Sequence, residues 1–189
     1  DKAVLGLVNQ ILHVRPHVPP GETIAQKRER EDRETLLWLQ GVADLEPLAE
    51  GPRAVDVCDR GGDTFEFLAH EVQRGRHFLV RSRHNRRMRV GHGGDGRPTR
   101  VHAHLRTLPG KGVRDITIHD HDTGALRTAQ VQVAFAAVRL EVPQKPRGHY
   151  PAAFLDVWAV RVWEAAAPAG VEPVVTTMFV PSVLTRRAR

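Results

Sequence analysis

The stretch A-V-D-V-C-D-R-G-G-D-T-F-E-F-L-A-H-E-V-Q-R-G-R-H-F-L-V, residues 54–80, decides how this chain is read. Ala54 to Cys58 is a short apolar run interrupted by Asp56, and Gly61-Gly62 breaks it. Phe65, Leu68, Ala69 and Val72 then recur at helical spacing until Gly75, and Phe78 to Val80 is a continuous apolar run. Strand, helix and buried strand in that order predict a β-α-β unit, hence a parallel pair joined by a crossover helix. Asp63 with Glu66 three residues later has the spacing of a capping box, which predicts that both acids serve the start of the helix.

Asp59 stands where the first strand ends, and ligands of open α/β sheets bind beyond the carboxyl ends of strands. A carboxylate there can hold a hard cation such as magnesium, but strand-end aspartates are common turn residues, and spacing alone favours the turn. Asp56 points away from it, because side chains alternate along a strand and the two are three positions apart. The second strand leads directly into R-S-R-H-N-R-R-M-R, residues 81–89, with five arginines in nine positions. Such a run is a natural contact for a phosphate backbone; in an arginine-rich protein it also serves as a solvated loop.

Outward from this unit the texture changes. G-H-G-G-D-G-R-P (91–98) is a loop, and strands are predicted at 113–118, 129–142, 155–164 and 173–180. D-T-G at 122–124 has the composition of a hairpin turn between the first two. Upstream, residues 3–14 read as one or two strands. R-P-H-V-P-P-G-E-T is a loop, and an amphipathic helix is expected over about 31–46, its first turn rich in acids as the helix dipole favours. The fold class expected is α+β: an α/β core in residues 1–90, and a β-rich antiparallel insertion in 91–189.

The formal net charge is +6 and the pI about 10.4, which suits a polyanionic partner. Arginine supplies nearly all of the positive charge. Its planar fork matches phosphate, although a GC-rich genome drifts toward arginine without functional cause. Aromatic residues make up only 5% of the chain, which argues against a single-strand stacking platform. Cys58 is alone, so no disulfide framework exists. No apolar run reaches the roughly 18 residues of a membrane span, and no membrane partner is expected.

Other constellations are weaker. H-D-H-D (119–122) contains metal-ligand residue types but reads as a polar hairpin tip. Cys58, inside an apolar strand, reads as buried filler. Ser82 and Ser182 lack the G-x-S-x-G context of a hydrolase nucleophile.

A-V-D-V-C-D-R-G-G-D-T-F-E-F-L followed by H-F-L-V-R-S-R-H-N-R-R resembles the second catalytic-aspartate block of the DDE transposases, most closely their IS-four, Tn-five-like group. The likeness lies in a strand ending V-x-D-R, an acid four positions on, a helix, and a strand ending V-R-S-K/R-H. V-L-G-L-V-N-Q-I-L-H-V-R-P is similar to the strand pair after the family's first aspartate, and R-E-T-L-L-W-L to a K-E-S-x-K-W helix start. The β-rich stretch 113–180 resembles the family's insertion before its final glutamate.

The resemblance implies a partial ribonuclease-H-like core, and DNA strand cleavage and strand transfer in which a D, D, E triad holds two metal ions. On that mapping Asp59 is the second metal-binding, catalytic aspartate, with magnesium (or manganese) as the cofactor of the complete enzyme. Arg81, Arg83, His84 and Arg86 fall where the family approaches transposon-end DNA. A homodimer of the full-length protein and a bacterial cytoplasmic, nucleoid-associated location are implied in the same way. The family's first aspartate lies upstream of the strand pair that opens this chain, and nothing after 180 matches the helix of its final glutamate. The chain is therefore expected to be an internal fragment, unable to cut DNA alone. The alternatives are a non-catalytic DNA-binding remnant and an unrelated α+β domain.

Overall fold

The computed structural model describes residues 6–15, 17, 20–23, 26, 30, 32–43, 45, 54–119, 124–143, 152–170 and 173–182. Within them the β-α-β unit forms as expected. Strand β1 (Val55–Cys58) runs into a 3-10 turn (Arg60–Gly62), helix α2 (Phe65–Gln73) follows, and strand β2 (His77–Arg81) pairs parallel to β1, Cys58 opposite Val80. The turn needs Gly61 and Gly62 for close approach. A Cβ at Gly61 would lie 2.6 Å from Trp38 Nε1, and one at Gly62 would lie 2.6 Å from Cys58 Cβ. Trp38 belongs to helix α1 (Leu37–Ala43), which begins in a 3-10 turn at Glu34–Leu36 and is shorter than the 31–46 pattern suggested.

The remaining strands are antiparallel: β3 (Arg87–Val90), β4 (Pro98–Arg100), β5 (Gly112–His119), β6 (Leu126–Glu141), β7 (Phe154–Glu164) and β8 (Val175–Pro181). With helix α3 (Val101–Thr107) between β4 and β5, they complete one mixed sheet. Its order is β1-β2-β8-β7-β6-β3-β4, with β5 paired to β6. The architecture is thus α+β, a largely antiparallel sheet with few helices. Strands from either side of residue 90 interleave, since β8 pairs with β2 and β3 with β6.

Cross-strand register puts apolar residues in rows on one face: Val80, Phe179 and Ala159 in one, Met88, Leu140 and Leu155 in another. Helix α2 lays Phe65, Phe67, Leu68 and Ala69 on that face, and α3 adds Val101 and Leu105, all buried. Each large side chain among them contributes about 1.5–3 kcal/mol by leaving water.

Three expectations are corrected. First, residues 6–15 form no strand: Leu7, Val8, Leu12 and Val14 are exposed, and their backbone pairs with no strand among the described residues. β-propensity acts only where a neighbouring strand supplies the ladder. Second, Asp63 is not the helix cap. Thr64 takes that role, its hydroxyl accepting from Phe67 N at 3.1 Å, while Glu66 turns outward to Arg33 at 2.7 Å. Third, β3 forms at the end of the basic run, and β4 and α3 follow the 91–98 loop in a stretch for which the sequence pattern gave no element. The β5–β6 hairpin is present, with His119 opposite Leu126, whereas positions 120–123 of its tip, and with them Asp120 to Asp122 of the H-D-H-D motif, lie outside the described residues. Asp1 and the positions from 183 onward lie outside them as well.

Candidate nucleic-acid interface

Asp59 sits just past the carboxyl end of β1, exposed, and its Oδ1 accepts from Gly61 N at 2.7 Å. It thereby caps the 3-10 turn. It also lines a groove of about 710 Å³ together with Trp38, Glu34, Gly61 and Arg83. The chemistry of that donor set does not match a two-metal centre: among the described residues no group of three His, Cys, Asp or Glu side chains comes together. Asp59 is one exposed carboxylate with one oxygen already accepting a hydrogen bond, whereas magnesium held by protein needs further anionic oxygens. No metal-dependent step can be derived from these residues.

Asp56 points elsewhere, as expected, and accepts from Arg76 Nε at 3.0 Å. Cys58 is buried, and that burial, reinforced by Asp56, pushes its thiol up to about 12, so it is no nucleophile.

The acid that organises this end of the sheet is Asp63, which is buried. Its Oδ2 accepts from the backbone N–H groups of Arg83 (2.7 Å) and His84 (2.8 Å), and its Oδ1 from Arg86 Nε (3.0 Å) and Nη2 (2.7 Å). A second bond runs from Arg86 Nη2 to the Asp63 carbonyl at 2.6 Å. Asp63 is a clamp: it ties the segment after β2 to the segment before α2. Charge-assisted bonds of this kind are roughly twice as strong as neutral ones.

This clamp sorts the basic run. Arg86 is engaged with Asp63, and Arg87 and Arg89 both pair with Glu141, at 3.1 and 3.2 Å. Arg81 and Arg83 form no ion pair among the described residues, and both are exposed. Arg81 ends β2, and Arg83 sits in the Asp59 groove, held there by its backbone bond to Asp63. His84 is exposed, its N–H taken by the same carboxylate. Of the four residues expected to meet DNA, Arg81, Arg83 and His84 thus lie at the surface, and Arg86 faces inward as their support.

The same segment also caps helix α3. Asn85 Oδ1 accepts from His102 N at 2.9 Å and the Arg86 carbonyl from Val101 N at 3.1 Å, which satisfies the first N–H groups of α3 in place of a local cap. Ser82 is buried, with its Oγ 3.0 Å from His102 Nε2. Burial, then the nearby Arg106, draws His102 below the ordinary histidine range. Sequence reasoning passed over Asp63 as a clamp and over His102, since both roles depend on partners about twenty residues away.

No protein-family model and no curated protein matches this chain.

Proposed function

We propose that the chain is part of a DDE transposase of the IS-four type, built on part of a ribonuclease-H-like core, and that it holds DNA by its phosphate backbone. One observation carries this reading: the two arginines of the basic run left without carboxylates among the described residues, Arg81 and Arg83, stand beside Asp59 at the carboxyl ends of a parallel β-α-β pair. That is where open sheets bind ligands, and an arginine without a carboxylate partner has its whole fork available for phosphate.

In the complete protein, magnesium or manganese would require carboxylates beyond Asp59, and strand cleavage and transfer would be their chemistry. The described residues support the DNA-holding part. A second reading, a DNA-binding remnant without chemistry, is favoured by the lack, among the described residues, of any group of three His, Cys, Asp or Glu side chains that includes Asp59. Both readings share one test. Binding to duplex DNA by the full chain is expected to weaken on Arg81→Gln and on Arg83→Gln, with a shallower salt dependence in each case. Binding indifferent to both substitutions would refute the shared reading.

A further inference from the structure

We propose that a second cavity, sharing no lining residue with the Asp59 groove, is a binding site for a single phosphate group. It stands on its own residues and not on the DNA reading above, with which it has only Arg81 in common.

Strand register builds it. Ser82 donates its backbone N–H to the Thr177 carbonyl at 2.7 Å, and Thr177 lies directly across from Arg161 of β7. Three neighbouring strands thus bring two hydroxyl residues and a guanidinium together. Arg81 adds the last residue of β2, and Arg60 comes from the turn after β1. His102 and Arg106, four apart on α3 and so on one helix face, close the cavity. Its volume is about 160 Å³, below the roughly 300 Å³ at which pockets for drug-sized ligands begin. That suits one phosphate with its ester oxygen, not a whole nucleotide.

The charge is one-sided. Among the described residues, four guanidiniums line the cavity and no carboxylate does. Several other arginines of this sheet have acid partners: Arg127 meets Glu164 at 2.6 Å and Arg139 meets Asp156 at 2.8 Å. Arg60, Arg81, Arg106 and Arg161 form no ion pair among the described residues, so no acid there explains their convergence. Arg161 instead lies over the Trp163 ring, 4.3 Å from its centre. Burial, and then Arg106, lower its pKa, the cost expected of a cation packed near another cation. A tetrahedral oxoanion relieves that repulsion and accepts paired N–H bonds from each fork it meets, while the Thr177 side chain supplies a hydroxyl donor; the Ser82 hydroxyl is engaged with the His84 carbonyl and His102.

An internal phosphate of a nucleic-acid backbone and a free phosphate monoester offer the same chemistry. The test uses inorganic phosphate titrated into the full chain in low-salt chloride buffer, followed by calorimetry and by the fluorescence of Trp163. Saturable binding is expected, weaker by about tenfold or more in Arg106→Gln/Arg161→Gln and unchanged in Arg97→Gln, an exposed arginine outside the cavity. Should the double variant melt early, Arg106→Gln alone, at an exposed position on α3, reads the same loss. Methyl phosphate and short duplex DNA then compete against bound phosphate. Displacement by DNA identifies the backbone as the source, and displacement by methyl phosphate alone identifies a monoester; either supports the site. Absence of saturable phosphate binding, or equal affinity in the arginine variants, overturns it. Arg83→Gln, which leaves this cavity intact, separates that failure from a failure of the DNA reading.

Discussion

Two cavities flank the end of the β1–β2 pair, and their charges differ: the groove sets Asp59 and Glu34 beside Arg83, whereas the smaller cavity gathers arginines. In the groove, the acid Asp59 is occupied with the backbone of its own turn, and Arg83 is anchored by its N–H to Asp63. In the smaller cavity, four arginines converge with no acid among the described residues to answer them. A charge met by a partner within the fold is explained by the fold. The arginine cluster is the part of the charge pattern that the proposed phosphate would answer. The difference shifts attention from the acids that catch the eye in the sequence to arginines scattered over four elements.

Asp63→Ala should have the largest effect, because it strikes both cavities through the segment they share. The substitution leaves the Arg86 guanidinium, 9% exposed, without its carboxylate. Removing one partner of a buried pair typically costs about 3–5 kcal/mol, and chemical denaturation measures it. A loss under about 1 kcal/mol would mean that the segment is held by other contacts, since net hydrogen bonds contribute about that much.

Glu71 extends the comparison to a buried acid whose oxygens lack donors. It is fully buried, and neither of its carboxyl oxygens meets a hydrogen-bond donor among the described residues. Burial first, and then Asp56, push its carboxyl from an ordinary 4.5 up to about 8, against the pull of Arg76. The folded state therefore holds this proton longer than the unfolded chain does. Its contribution to stability is complete below about pH 4.5, declines as pH rises toward about 8, and is lost above it. Glu71→Gln should flatten that decline and raise stability at pH 8 by about 1–3 kcal/mol, the cost of a buried unsatisfied group. Melts at pH 5 and pH 8 test it; a decline of equal size in the variant would place the titration elsewhere.

Asp59→Asn should have the smallest effect. The amide oxygen still accepts from Gly61 N, so stability should change by no more than about 0.5 kcal/mol. Removing a negative charge beside Arg83 should leave DNA binding equal or slightly tighter. Weaker binding in the presence of magnesium would mean instead that Asp59 holds a cation against the phosphate, and would favour the metal role.

The parts of the fold legible in the sequence are those set by local pattern. The β-α-β unit arises from helical spacing between Phe65 and Val72 flanked by two apolar runs, and all four predicted antiparallel strands appear close to their expected bounds. What was hidden depends on distant partners. Helix α3 has no capping side chain at Arg100; Asn85 and Arg86, just before the paired strand β3, supply its cap instead. Asp63 has the spacing of a helix cap, yet Thr64 beside it takes the role and frees Asp63 for Arg86. Of the candidate site, Arg81 and Arg83 were visible as part of a basic run. Arg60, Arg106 and Arg161 were not, since only the sheet order brings β2, β7 and β8 together.

The most direct test of DNA holding by this chain is the salt dependence of duplex binding by the wild type and by Arg81→Gln/Arg83→Gln. The logarithm of the binding constant should fall linearly with the logarithm of salt concentration, and the slope should shrink by about 0.9 for each phosphate contact removed. Binding that is absent, insensitive to salt, or of unchanged slope in the double variant would contradict it.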